Sequence, residues 1–76
     1  MRLYIQEHET EEVLFITTDF NCVPNNGERV MLERDSEPAW YVVTEVTYYF
    51  RHHKYTPSDM DDNSVTVWVK EMPGKI

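Results

Sequence analysis

Asp59, Asp61 and Asn63 set three oxygen-bearing side chains at alternate positions, the spacing with which an acidic loop begins to wrap a hard cation. Such a loop needs glycine at its sixth position and a bidentate glutamate at its twelfth. Here those positions are Ser64 and Lys70, so the residues read as a solvated acidic loop and no metal is expected. The other ligand types are scattered. His52 and His53 are adjacent, and in extended chain they point to opposite faces. His8 sits among glutamates, and Cys22 is the single cysteine, so neither belongs to a recognisable zinc spacing. A nucleophile would need a base in reach and a device to stabilise developing charge. Cys22 lies beside a proline turn with no helix N-terminus to activate it, and two glycines are too few for a phosphate cradle. The expectation is a protein without catalytic residues and without a cofactor.

The aromatic residues carry more information. Ten of the 76 residues are Phe, Trp or Tyr, more than a thin core can hold. If Val65, Val67 and Val69 face inward, strand parity turns Trp68 outward, and Tyr4 and Tyr49 lie outward by the same rule. Exposed Trp and Tyr are rigid anchors with polar tips, common where proteins bind proteins. The competing reading is that they cover the second face of the sheet by packing on residues 51–63 or on one another. Base stacking would use the same rings but needs a basic groove, and only Arg2, Arg51, Lys54 and Lys70 could supply one.

The elements that must position these side chains are strands. Residues 40–50, WYVVTEVTYYF, form the most β-prone stretch, with Glu45 its only charge. Tyr41 and Val43 share one parity, whereas Val46, Tyr48 and Phe50 share the other, which predicts a bulge at Thr44-Glu45 with all five in the core. Leu3 and Ile5 mark a first strand over residues 2–6, followed by an acidic connection at 7–12. A second strand over 13–20 alternates imperfectly, so its inner face is either Leu14 and Ile16 or Val13 and Phe15, and the preferred assignment buries Leu14, Ile16 and Phe20. Val23-Pro24-Asn25-Asn26-Gly27 is the clearest turn, leading to a strand over 28–33 with Val30 and Leu32 inward. Residues 34–39 read as a polar loop, 51–63 as a stretch without regular structure, and 64–72 as a cleanly alternating last strand.

These elements predict an all-β chain: a five-stranded antiparallel meander forming a small barrel or strongly bent sheet. Residues 1–72 make a single domain and 73–76 a flexible tail. The order Pro24-x-x-Gly27-Glu28-x-Val30-x-Leu32, a short polar loop, then Tyr41-x-Val43-x-x-Val46 resembles small barrels of the Src-homology-3 type. The same pattern resembles short uncharacterised proteins of phages and bacterial mobile elements. The resemblance spans residues 23–72 and rests on turn and core residues, so it implies a fold and no site. It also departs from the signalling domains, because no acidic arm or aromatic groove for polyproline ligands is present.

Fourteen acidic residues against seven basic ones give a net charge of −7, which disfavours nucleic acid, whose binding exchanges counterions for Lys and Arg. No apolar run is long enough for a signal peptide or a membrane span, and a lone thiol fits a reducing compartment, so the expected location is cytoplasmic, in a bacterial or phage-infected cell. The expected function is a small acidic protein-binding module that blocks a partner surface, in its most specific form a phage-encoded inhibitor of a host defence system or enzyme. Its contact residues would be Tyr4, Tyr49, Tyr55, Asp59, Asp61, Asp62 and Trp68, meeting a basic protein surface. Self-association through strand edges, as in a virion component, is the second reading, and a nucleic-acid-associated barrel the third.

Overall fold

The computed structural model describes residues 1–50 and 63–72. Five strands make one sheet: β1 (Arg2–Glu7), β2 (Val13–Thr17), β3 (Arg29–Arg34), β4 (Glu37–Tyr49) and β5 (Ser64–Glu71). Their spatial order is β2-β1-β5-β4-β3, and the sheet curls into a half-barrel with β2 and β3 as its edges. The all-β, five-stranded expectation holds. One pairing departs from an antiparallel meander: β1 and β5 run parallel, Leu3 beside Val65 and Ile5 beside Val67. Parallel neighbours require a crossover, and here the other three strands provide it.

The core follows from strand parity. Leu3 and Ile5 of β1, Leu32 of β3, Tyr41 and Val43 of β4, and Val65, Val67 and Val69 of β5 are buried on one face. The three β5 valines are fully enclosed because β5 is the central strand, with β1 on one side and β4 on the other. β4 changes parity where expected. Val43 pairs with Val69 and Glu45 with Trp68, so Thr44 is the extra residue of a bulge and Val46 returns to the inner face beside Val67. The Thr44 hydroxyl donates to the Trp68 carbonyl at 3.2 Å.

The bulge does not carry every later side chain into the core. Tyr48 and Phe50 were expected there, yet they are 50% and 65% exposed. They do lie on the inner side, Tyr48 beside Val65, but at the end of the sheet where that face is open. Their rings stack on each other at 5.9 Å, nearly parallel.

β2 differs from expectation in length and in what it buries. It ends at Thr17, and Phe20 packs against the core from the following connection. Ile5 pairs with Phe15 and Gln6 with Val13, so Leu14 is the extra residue of a second bulge and reaches the core half-buried. Ile16 pairs with Tyr4 on the outer face and is 53% exposed, the reverse of the inward position expected.

The turns explain the remaining differences. Residues 34–39 are not a loop: only Asp35 and Ser36 leave the ladder, both with positive φ (55° and 67°), as a type I′ hairpin turn requires. Arg34 and Glu37 close that turn, so the next pair, Glu33 with Pro38, is a non-hydrogen-bonded pair in which the Pro38 nitrogen faces away from β3. Pro38 therefore removes no bond from the β3–β4 ladder, which is how proline enters this strand. At Asn25–Glu28 the Glu28 amide donates to the Asn25 carbonyl at 3.0 Å, with Gly27 at φ 92°. That is a type II turn, and its third residue must be able to hold positive φ.

Candidate functional site

The outer face of the sheet carries three of the predicted contact residues, Tyr4, Tyr49 and Trp68, and the register fixes their arrangement. Arg2, Ser64 and Tyr49 form one row across β1, β5 and β4. Tyr4, Thr66 and Thr47 form a second on the same face, and Gln6, Trp68 and Glu45 a third. Ile16 extends the Tyr4 row onto β2. Tyr4, Tyr49 and Trp68 are thus brought onto one surface, as parity required. Tyr49 is the most open at 52% exposed, while Tyr4 and Trp68 are half-buried. Tyr55, Asp59, Asp61 and Asp62 lie outside the described residues.

Trp68 is held by its neighbours. The His8 ring meets it edge-on, with centroids 6.4 Å apart at 80°. His8 is placed there because its amide donates to the Val69 carbonyl at 2.7 Å, extending the β1–β5 pairing one residue past β1. His8 Nδ1 lies 3.2 Å from the Thr44 hydroxyl. With the Thr44 proton on the Trp68 carbonyl, the hydroxyl oxygen is free to accept from Nδ1 in the tautomer that carries its proton there. The trio braces the bulge and the indole.

The acidic connection between β1 and β2 is organised by one carboxylate. Glu7 Oε1 accepts from the Glu9 amide at 2.9 Å and the Thr10 amide at 2.8 Å. The bond from the Thr10 backbone is the largest influence holding the Glu7 carboxyl below its usual range. Glu9, Glu11 and Glu12 are left exposed around it. At this end of the sheet Arg34 of β3 comes within 3.9 Å of Glu12, both exposed, an ion pair of the weak surface kind.

Among the described residues no three His, Cys, Asp or Glu side chains converge as a metal site would need. Cys22 is exposed as a free thiol. No described helix is long and apolar enough to cross a membrane. Comparison with known protein families, curated proteins and solved structures finds no match.

The sequence reading missed two exposed apolar groups. One is the stacked Tyr48–Phe50 pair at the open end of the inner face. The other is β2, where Val13, Phe15 and Ile16 are all about half exposed. A signal for the second was present in VLFIT, which alternates poorly, as a strand does when its faces are not divided into wet and dry.

Proposed function

We propose that this chain is a small acidic protein-binding module that occupies a surface of another protein and acts without catalysis. The observation that carries the reading is the grouping of Tyr4, Tyr49 and Trp68 in neighbouring rows of one face. Rigid rings held by a central sheet give contact area at little cost in side-chain freedom. The surrounding charge favours a basic partner: eleven acidic residues stand against Arg2, Arg29, Arg34 and Lys70 over residues 1–50 and 63–72. Asp59, Asp61 and Asp62 would add to that attraction, with Tyr55 as a further ring. Blocking a host defence protein or host enzyme is the most specific form, and it rests on the resemblance to short phage proteins.

The test is affinity capture from a bacterial lysate with wild type, Tyr49→Ala and Trp68→Ala, each checked for fold by circular dichroism. Loss of the same partner from both variants is the expected result. Tyr49→Ala is the cleaner probe, because the Trp68 indole also packs edge-on against His8, whose ring sits beside the Thr44 bulge. A partner retained equally by both removes this face as the site.

A further inference from the structure

We propose that the free edge of β2 is a second binding surface, one that takes an extended segment of a partner protein with an uncharged apolar centre and basic flanks. The segment would add to the sheet as a sixth strand. Among the described residues β2 pairs only with β1, so one side of its backbone offers unpaired amides and carbonyls. A strand in that position is a template for another strand unless its side chains discourage approach. VLFIT contains no charge and no proline. Its bulge faces β1, where Leu14 is the extra residue. Phe15 on the inner side and Ile16 on the outer side are 46% and 53% exposed, so a sixth strand would find apolar neighbours on both faces.

Charge decides what that strand is. Glu9, Glu11 and Glu12 stand exposed before β2, and Asp19 stands exposed after it. A second copy of this chain would pair with β2 antiparallel about a twofold axis. Centred on Phe15, that pairing sets Glu11 opposite Asp19; moved by one residue, it sets Glu12 there. Either register puts like charges face to face at both ends, which destabilises a cross-strand pair. Lysine or arginine at both ends of an incoming strand turns the same carboxylates into attractions, with Glu12 exchanging its weak ion pair with Arg34 for a new one. Main-chain bonds would give the affinity and the charged ends the selectivity. This surface meets the outer aromatic rows only at Ile16, beside Tyr4; Tyr49 and Trp68 lie beyond it on β4 and β5, so the loss of either surface can be told from the loss of the other.

The probe is a synthetic peptide with an alternating Val-Thr centre and two lysines at each end, titrated into the full 15N-labelled chain. The expected result is amide shifts and slowed hydrogen exchange concentrated at residues 13–17. Replacing the terminal lysines by glutamates is expected to weaken binding by about tenfold or more at low salt, with much of that difference screened at about 1 M salt. N-methylation of the peptide amides on one edge should abolish binding, and methylation on the other edge should leave it intact. Ile16→Lys, at an exposed position, should reject the lysine peptide while keeping the fold. Three results would overturn the proposal: no change at β2 with millimolar peptide, shifts confined to Tyr4, Tyr49 and Trp68, or sedimentation showing that wild type dimerises through β2. The second would leave the outer-face reading standing.

Discussion

β2 and β3 occupy equivalent places, one at each edge of the same sheet, yet they are built from different side chains. β3 reads RVMLER, with Arg29, Glu33 and Arg34 along it, and it buries Leu32. Charges of that kind are what edge strands use to discourage another strand. β2 reads VLFIT, carries no charge and has no residue in the fully buried core. The supply of each strand differs as well. β3 joins β4 through a two-residue turn made of backbone alone, whereas β2 is fed by a connection tied together by the Glu7 carboxylate. Met31 of β3 is about half exposed as well, but Arg29, Glu33 and Arg34 stand around it, whereas the exposed Val13, Phe15 and Ile16 of β2 have no charge beside them within the strand.

That contrast breaks if the exposed residues of β2 prove to be needed for stability. Val67, fully enclosed between Ile5 and Val46, sets the scale. Val67→Ala should cost about 2 kcal/mol and lower Tm by roughly 8–16 °C. Ile16→Thr should change stability by no more than about 0.5 kcal/mol, because its side chain already faces water. Thermal denaturation followed by circular dichroism measures both. Comparable losses would make β2 an ordinary part of the core.

The β3 side is sharpened by relaxing its turn. Ser36 holds φ at 67°, a conformation that favours glycine. Ser36→Gly should stabilise the chain by about 0.5 kcal/mol, once the greater freedom of glycine in the unfolded chain is offset. Hydrogen exchange should slow along β3 and β4 with little change at β2. A loss of stability would show that the serine side chain contributes more than its backbone strain.

The smallest effect lies on the β2 side and depends on pH. The folded-state pKa of Glu7 is depressed, so its contribution is present above the ordinary carboxylate range and is lost as pH falls through the folded value. Carboxyl NMR should find Glu7 among the last glutamates to protonate. Amide protection at Glu9 and Thr10 should decline across the same step, while the Asp35-Ser36 turn is unaffected. If Glu7 titrates with the other glutamates, the carboxylate does not hold the turn.

Much of the central architecture was legible before any coordinates. The alternation of Val65, Val67 and Val69 identified an inner face, and the change of parity after Val43 located the bulge at Thr44. Asn25-Asn26-Gly27 marked a turn that only a residue tolerant of positive φ can complete. These features depend on the chain within a few residues, where side-chain period and backbone sterics act. The inward assignment of Ile16 failed because a bulge at Leu14 shifts the parity of β2. Tyr48 and Phe50 have core parity but lie beyond the point where the inner face is covered. The outward placement of Tyr4, Tyr49 and Trp68 could be read from period alone; the bracing of Trp68 by His8 and Thr44 could not, since it joins residues far apart in the chain.

The sequence by itself determined five strands, the alternating faces of all but β2, the bulge in the longest of them and the acidic surface around them. Only the tertiary structure decided that β1 lies parallel to β5, that β5 is central, and that VLFIT is left at an open edge. The reason is physical. Period and turn geometry are written in neighbouring residues, but a strand's unpaired side is a property of what stands next to it in space. Two strands of similar β propensity can therefore meet different fates, β5 pressed into the core and β2 left at an edge.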